Sequence, residues 1–275
     1  MNKKQKKTSK IGFIGCGKMA RAIIKGMINS NFISSELISA SEINEDLAVA
    51  KSKELGVKVI CSNIEIAKNS DIIFLAVKPN IVRDVLEEIK SGLTEEKLVV
   101  SIAAGVKLET MENIVTNIPV IRVMPNAGLL VSEGMCCIAK GKSATDKDVE
   151  IVYDLLSKMG KCLILKEDKM DIVTAISGSG PAFFYKSIHE MALAGEKLGL
   201  DYKKSMILAA QTAVGSAKIM LKSDLHPQKL IDNISTKGGC TEVGVSVMNE
   251  ADTEKLFFDV IHQTTKKATD LGKKK

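Results

Sequence analysis

Short apolar runs alternate with longer amphipathic segments from residue 11 to about residue 165. The short runs are rich in Val and Ile, which favour strands, whereas the longer segments repeat apolar residues every three or four positions, as helices do. This alternation predicts βαβ units on a mostly parallel sheet. The predicted strands are 11–14, 37–41, 57–60, 71–77, 97–102, 120–124, 134–139 and 161–165. The predicted helices are 20–29, 45–55, 81–90, 108–115 and 147–159.

The pattern changes after Glu167, where β-rich runs disappear and the spacing becomes helical. Glycine or proline interrupts it at 178–181, 199–201, 226–227 and 238–239. The sequence therefore predicts an α/β domain in residues 11–167 and an all-α domain in residues 168–275. Residues 1–10 are a predicted disordered basic tail.

The helical half contains its own boundary signals. Pro181 suits the first turn of a long helix that ends at Leu198. Ser179 or Gly180 would cap that helix, and Asp201 would cap the next one. An apolar stripe on this next helix is formed by Met206, Ile207, Ala210, Val214, Ala217 and Leu221. Because this half has few aromatic residues to fill a core, we expect a homodimer or a multiple of one, with a self-sufficient bundle as the alternative.

The net charge of +6 comes from the chain ends. The lysines concerned are Lys3, Lys4, Lys6, Lys7, Lys10, Lys273, Lys274 and Lys275. Without these eight, 31 basic residues face 33 acidic ones, so the body is nearly neutral and no nucleic-acid partner is expected. We expect both ends to be solvated and disordered.

Cysteine usage and hydropathy indicate a cytoplasmic protein. The six cysteines include no C-x-x-C pair, and with only three histidines the chain predicts neither a zinc site nor a disulfide framework. No uncharged apolar run approaches the ~20 residues that cross a bilayer. We therefore expect reduced thiols, no bound metal and no membrane contact.

A glycine-rich turn follows the first predicted strand directly, where residues 15–20 read G-x-G-x-x-A. In this context the pattern is the dinucleotide-binding fingerprint: one glycine makes the turn, the next admits a pyrophosphate, and Ala20 lets helix and strand pack closely. A plain strand-to-helix turn is the alternative. The fold class is thus α/β, a Rossmann-type doubly wound, mostly parallel sheet followed by an all-α dimerisation domain. The predicted cofactor contacts here are Ile14, Gly15, Cys16, Gly17, Lys18 and Met19.

The end of the second strand bears on the choice of cofactor. Glu42 lies where an acid usually binds the adenosine ribose of NAD, and its carboxylate would repel a 2′-phosphate, whereas Ser41 could donate to one. No arginine follows nearby. The sequence favours NADH without excluding NADPH, and the alternative for Glu42 is an ordinary solvated charge.

Two more strand ends should border the nicotinamide half of the cofactor, because ligands of such sheets lie beyond the carboxyl ends of the strands. Either segment could also be only a tight loop. The residues are Ala76, Val77, Lys78 and Pro79 after one strand, and Ala103 and Ala104 after the next.

In the helical half, the glycine-rich segments 177–183 and 232–241 expose amides ahead of helices, which suits a small carboxylate. The alternative is that both segments are plain helix-linking turns.

Five motifs occur in one order: AVKP at 76–79, AAG at 103–105, RVMPN at 122–126, SGSGPAFFY at 177–185, and DNIS-x-x-GG-x-T at 232–241. Together they resemble pyrroline-5-carboxylate reductases over nearly the whole chain. The resemblance implies that a loop of Thr236, Gly238, Gly239 and Thr241 holds the substrate carboxylate and faces its ring nitrogen. It also implies that Thr174 and Ser177 lie near the nicotinamide and ribose, and Asn63 near the adenosine.

This chain departs from the family in two places. Lys237 stands where the family usually has proline, which loosens the expected rigidity of the loop. Glu42 puts the family's common NADPH preference in doubt.

The implied reaction is hydride transfer from NADH or NADPH to the imine carbon of 1-pyrroline-5-carboxylate, which gives L-proline, the last step of proline biosynthesis. The imine arrives protonated near neutral pH, so no strong general acid is required. The candidate catalytic residue is Thr241, whose hydroxyl would act as hydrogen-bond donor and orienter. Asp224 would stabilise the cationic nitrogen, or it is only a helix-end charge.

Two rival functions remain. A hydroxy-acid dehydrogenase of the same plan would carry a lysine four residues after Gly180, where this chain has Phe184. A non-catalytic dinucleotide-sensing dimer would not need the carboxylate loop.

Overall fold

The protein is described by a computed structural model over residues 9–273, except for the side chain of the last of these. It divides into two compact units: one contains the residues up to Ser179 and from Thr264 onward, and the other is Gly180–Gln263. The tail lysines that lie outside the described residues are Lys3, Lys4, Lys6, Lys7, Lys274 and Lys275. Lys10, predicted as part of the tail, is tied to the sheet, because its backbone amide donates to Asp71 Oδ2 at 2.8 Å.

Within residues 9–273, eight strands form one sheet in the order β3-β2-β1-β4-β5-β6-β7-β8. All neighbouring strands are parallel except β6 and β7, which are antiparallel, so the predicted mostly parallel, doubly wound sheet is confirmed. The strands are β1 Ile11–Ile14, β2 Ile38–Ser41, β3 Lys58–Ile60, β4 Ile72–Leu75, β5 Leu98–Ser101, β6 Val120–Met124, β7 Gly134–Lys140 and β8 Gly160–Ile164.

The central strands are apolar on both faces because helices cover both sides of the sheet. Phe13 of β1 is in register with Phe74 of β4, and their rings stack with centroids 4.8 Å apart in the core on one side. The next pair in register, Ile14 and Leu75, points to the core on the other side. This alternation with period two fixes the register of the strands.

Three of the α-helices described in the first unit begin at residues whose side chains cap them. Asn44 accepts the Leu47 amide at 2.9 Å, and Thr145 forms a capping box with Asp148. A short helix at Asn63–Asn69 was not predicted, since seven residues are too few to show a period, although Ser62 caps it. The α-helices of the first unit, capped or not, are α1 Lys18–Asn29, α2 Glu45–Leu55, α3 Asn63–Asn69, α4 Val82–Ile89, α5 Leu108–Glu112, α6 Asp146–Leu156 and α7 Met170–Val173.

Of the two residues predicted to cap the long helix, Ser179 lacks the geometry of an N-cap and Gly180 is itself the first helical residue. Residues Thr174–Gly178 form a π-helix directly after α7, and Ser179 keeps αR dihedrals while its amide donates to the Thr174 carbonyl at 2.8 Å. An N-cap would instead have extended dihedrals. The missing amide hydrogen of Pro181 leaves a carbonyl without its usual helical partner, which is a setting in which a widened turn is tolerated.

The second unit is helical, as predicted. Asp201 caps α9 by accepting the Lys204 amide at 3.0 Å, which confirms its predicted role. The stripe on α9 remains largely exposed, with Ile207 62% and Leu221 69% accessible. The helices are α8 Gly180–Lys197, α9 Tyr202–Lys222, α10 Pro227–Ile234, α11 Cys240–Glu250 and α12 Thr253–Lys273.

The end of α12 belongs to the first unit. Thr269 donates a hydrogen bond to Asp171 Oδ2 at 2.9 Å, and a Cβ on Gly272 would lie 2.5 Å from the Gly105 carbonyl oxygen. The C-terminal turns therefore pack against the loop after β5. No helix of residues 9–273 is both long enough and apolar enough to cross a membrane.

Candidate active site

The carboxyl ends of β1, β2, β4, β5 and β6 lie side by side at one edge of the sheet, because these strands are parallel neighbours. Ligands of doubly wound sheets bind at this edge. The predicted cofactor residues of the first unit follow these strand ends, so the fold brings together segments that are distant in sequence.

Gly15 and Gly17 differ in what their missing side chains allow. Gly15 has φ +89°, and a Cβ there would lie 2.8 Å from the Ala76 carbonyl oxygen, so its glycine is required by the fold itself. Gly17 has an ordinary φ of −76°, and apart from its neighbours along the chain no described atom lies within 4 Å of a Cβ built on it. The Gly17 side of the turn is open, as a site that admits a pyrophosphate requires.

Helix α1 begins at this open side. Among the described residues no side chain caps it, since Gly17 occupies the N-cap position. The first amides of a helix have no partner within the helix and carry partial positive charge, which suits a phosphate. Lys18 is exposed at the first helical position, and Met19 packs partly against the core.

Cys16, between the two glycines, is buried, and burial is the main reason why the pKa of its thiol is raised. The charges of Lys51 and Arg21 oppose this rise, whereas those of Glu42 and Glu54 add to it. The thiol stays protonated at neutral pH and acts as a packing group.

Ser41 joins the glycine turn to α3. Its hydroxyl accepts the Gly15 amide at 3.1 Å and donates to Asn63 Oδ1 at 2.6 Å. Asn63 in turn donates to Glu88 Oε2 at 2.8 Å. In this structure the single proton of Ser41 is used by Asn63 and the residue is buried, so its role as a donor to a 2′-phosphate stays a prediction that would require this hydrogen bond to be exchanged.

Glu42 forms an ion pair with Lys51 of α2, and each side chain is only 17% accessible. Burial raises the pKa of Glu42, but the hydrogen bond and charge of Lys51 and the amides of Ile43 and Asn44 outweigh it, so the carboxyl pKa lies below its ordinary value. Glu42 is ionised at neutral pH. Its negative charge is balanced by Lys51, which the sequence analysis did not identify.

The segment after β4 lies directly against the glycine turn. Ala76 donates its amide to the Ile14 carbonyl at 2.9 Å, and a Cβ on Gly15 would lie 2.9 Å from a Val77 methyl group. Lys78 and Pro79 are exposed beyond this contact.

The loop after β5 begins with Ala103, which is buried and whose amide donates to Ser101 Oγ at 3.4 Å. Ala104 is partly accessible, and Gly105 takes φ +77°. The loop therefore turns sharply at the edge where a cofactor would lie.

Ser177 and Thr174 lie on the π-helix. Ser177 is within 3.4 Å of Asn126 Nδ2, and Asn126 Oδ1 accepts the amides of Gly128 and Met135. Thr174 donates to the Met170 carbonyl at 2.8 Å. Asn126 thus holds Ser177 beside the end of β6. From the sequence, Asn126 was recognised only as part of the RVMPN motif.

The second unit contains the predicted substrate loop. Gly238 has φ +74°, and its amide donates to Glu242 Oε2 at 2.6 Å, while the Gly239 amide donates to the Thr236 carbonyl at 2.8 Å. A Cβ on Gly239 would lie 2.5 Å from Thr236 Oγ1. Both glycines are therefore needed for this turn.

Thr241 is exposed in the first turn of α11, whose N-cap is Gly239. A helix that starts on glycine leaves its first amides available to an anion. Asp224 is exposed between α9 and α10. Glu242 was not predicted from the sequence, where its only signal is its place four residues after Gly238.

Two family models match the chain. Residues 167–271 match the model described as pyrroline-5-carboxylate reductase dimerisation, and residues 10–105 match the model described as NADP oxidoreductase, coenzyme F420-dependent. The two matches cover the helical half and the first part of the sheet.

Named relatives span the chain. A pyrroline-5-carboxylate reductase of Methanosarcina acetivorans is 40% identical over 266 residues, which are 96% of this chain and 98% of that protein. One from Glycine max is 34% identical over 95% of this chain and 96% of its own length.

Solved structures give the same result. The crystal structure of Plasmodium falciparum pyrroline carboxylate reductase with NADP bound is 34% identical, with a TM-score of 0.88 over 97% of this chain and 99% of that chain. A pyrroline-5-carboxylate reductase from Coxiella burnetii has a TM-score of 0.90 at 28% identity, over 97% of this chain and 100% of that one. A prephenate dehydrogenase from A. aeolicus, at 16% identity and a TM-score of 0.53, shares the fold alone.

Proposed function

We propose that this chain, which belongs to the pyrroline-5-carboxylate reductase family, performs the family reaction with the residues described above in each unit. It is an NAD(P)H-dependent oxidoreductase that reduces 1-pyrroline-5-carboxylate to L-proline. The observation that carries the assignment of residues is the turn at Gly238 and Gly239, locked by Glu242 and Thr236 ahead of an uncapped helix. The amides at the start of this helix, beyond the two that the turn uses, suit a small carboxylate.

The cofactor fits the edge of the sheet. Gly17 presents an open backbone at the start of α1, and Gly15 is tightly packed behind it. The pyrophosphate would be held by the first amides of α1, the adenosine ribose by Glu42, and the nicotinamide half by the segments after β4 and β5. When bound, NADH or NADPH supplies the hydride that reduces the carbon–nitrogen double bond of the substrate.

The cofactor contacts that we propose are those named from the sequence, without a free donor role for Ser41. They are Ile14, Gly15, Cys16, Gly17, Lys18, Met19, Glu42, Asn63, Ala76, Val77, Lys78, Pro79, Ala103, Ala104, Thr174 and Ser177. Ser41 acts behind them by holding the Gly15 amide and Asn63 in place.

The substrate would be held by the loop that includes Thr236, Gly238 and Gly239, through the free amides at the start of α11. The Thr241 hydroxyl suits the ring nitrogen, since it can accept a hydrogen bond from the iminium N–H before reduction and donate to the amine lone pair afterwards. The substrate brings the proton on nitrogen, so no strongly acidic side chain is required. Asp224 is kept as a charge that would favour the cationic nitrogen.

We also propose that the protein forms a homodimer or a multiple of one. The matched dimerisation model covers residues 167–271, and the apolar stripe on α9 that includes Ile207 and Leu221 is exposed in the single chain. An exposed apolar stripe along a helix favours association with a second copy.

Purified protein incubated with the cyclic imine and each reduced cofactor tests the function. We expect the absorbance of the reduced nicotinamide to fall. The amount of L-proline measured by chiral chromatography should equal the amount of cofactor oxidised. Omission of the imine is the control. Lack of proline with both cofactors would contradict the proposal.

A further inference from the structure

A charged cluster lies beside the glycine turn, where α1 and α2 meet the end of β2. Arg21 Nη1 lies 2.9 Å and Lys25 Nζ 2.7 Å from the carboxylate of Glu54, while Lys51 pairs with Glu42. The cluster therefore contains three basic side chains and two acidic ones. The cluster carries one net positive charge, although Glu42 taken alone suggests a negative one.

The cluster lies close to the cofactor turn. Glu42 follows Ser41 directly, and the Ser41 hydroxyl accepts the amide of Gly15 in the turn at 3.1 Å. Because Lys51 pairs with Glu42, its ammonium group lies at the strand end that is hydrogen-bonded to the turn. The charge of Lys51 also opposes the rise in the pKa of the Cys16 thiol, between the two glycines.

The other polar side chains at this strand end are already engaged. Ser41 accepts from Gly15 and donates to Asn63, and Asn63 donates to Glu88. Of the polar side chains described at the end of β2, this leaves Glu42 and Lys51 to meet the ribose end of the cofactor. A carboxylate suits ribose hydroxyls, whereas an ammonium group suits a phosphate.

We propose that Lys51 is the residue through which this chain accepts the 2′-phosphate of NADPH beside Glu42. The inference rests on the proposed function, since it concerns the cofactor of that site. A 2′-hydroxyl is recognised by Glu42 while Lys51 balances the charge, and a 2′-phosphate is recognised by Lys51 on its flexible stem. Lys51 thus acts as a specificity-determining residue, and the pair lets one site take either cofactor.

The first test measures binding of two fragments by isothermal titration calorimetry: adenosine 2′,5′-bisphosphate, which carries the 2′-phosphate, and ADP, which does not. Lys51→Met should weaken the bisphosphate about tenfold relative to ADP, the scale of one lost charge contact of about 1.4 kcal/mol. Lys51→Arg should restore most of the difference. Glu42→Gln, which leaves Lys51 in place, should strengthen bisphosphate binding relative to ADP.

The control is Lys53→Met, which removes an exposed lysine from the same helix and should leave both affinities and the activity unchanged. Raising the ionic strength should weaken bisphosphate binding to the wild type more than to Lys51→Met. An equal loss for both fragments in Lys51→Met, or no loss for either, would overturn the inference.

Kinetics separate this inference from the proposed function. The ratio of kcat/KM for NADPH to that for NADH should fall about tenfold in Lys51→Met. In Lys53→Met this ratio should equal that of the wild type. If the wild type reduces no imine with either cofactor, the proposed function fails, whereas the fragment titrations still decide the role of Lys51.

Discussion

Glu242 holds the backbone of Gly238, whose amide donates to Glu242 Oε2 at 2.6 Å across the start of α11. The Gly239 amide closes the same turn on the Thr236 carbonyl. The loop proposed to bind the substrate carboxylate is therefore shaped before any ligand arrives. Lys237, within this turn, does not fix its own backbone as a proline would, so the tether matters more for the shape of the loop.

We predict that Glu242→Ala raises the KM for the imine about fivefold, because loss of a hydrogen bond of about 1 kcal/mol leaves the turn to be ordered by the substrate. The KM for NADH should stay within about twofold of the wild-type value. Steady-state kinetics with Glu250→Ala, at the other end of α11, as the control would measure both. An unchanged KM for the imine would mean that the turn keeps its shape without Glu242.

Thr241→Ala should lower kcat by one to two orders of magnitude, the scale of one lost transition-state hydrogen bond of about 1.5–3 kcal/mol. Cofactor affinity should hardly change. Thr241→Ser keeps the hydroxyl and should recover most of the rate. If alanine instead leaves kcat intact and raises only the KM for the imine, Thr241 is a ground-state binding residue.

Gly17→Val should raise the KM for the cofactor strongly and leave the fold intact, because the backbone at Gly17 is ordinary and its side is open. Gly15→Ala is the contrasting variant: φ +89° and the nearby Ala76 carbonyl should lower its thermal stability. Cofactor titrations and thermal unfolding of the two variants would test this. A Gly17→Val protein with unchanged cofactor affinity would rule out the open side as the pyrophosphate site.

The Glu42–Lys51 pair should stabilise the fold at neutral pH and lose this effect in acid. The carboxyl pKa lies below its ordinary 4.5 in the folded protein, so the contribution is complete above that pH and disappears as pH falls through the lower folded pKa. Glu42→Gln should cost roughly 1 kcal/mol at pH 7 and less at pH 3. Urea unfolding at both pH values measures this difference, and an equal cost at both would contradict it.

We predict that light scattering finds a dimer or a multiple of one. Ile207→Glu, which puts a charge on the exposed stripe of α9, should shift the protein toward monomer, whereas Lys203→Glu at an exposed position of the same helix should not. A wild-type protein that is both monomeric and active would refute this assignment of the stripe.

The sequence by itself determined the features that depend on neighbours along the chain. Strand and helix periods predicted the parallel sheet and the helical half, and Asp201 was correctly identified as a cap because capping involves residues only three positions apart. The G-x-G-x-x-A turn was recognised for the same reason: its chemistry lies within six consecutive residues.

Only the tertiary structure decided which groups meet. Lys51 comes nine residues after Glu42, and Asn63 comes 22 residues after Ser41, yet these partners settle which side chains remain available for a cofactor. The return of Thr269 to Asp171, 98 residues earlier, is of the same kind. The pattern of one segment specifies its own dihedrals and buried face, but pairings between segments depend on how the strands and helices pack together.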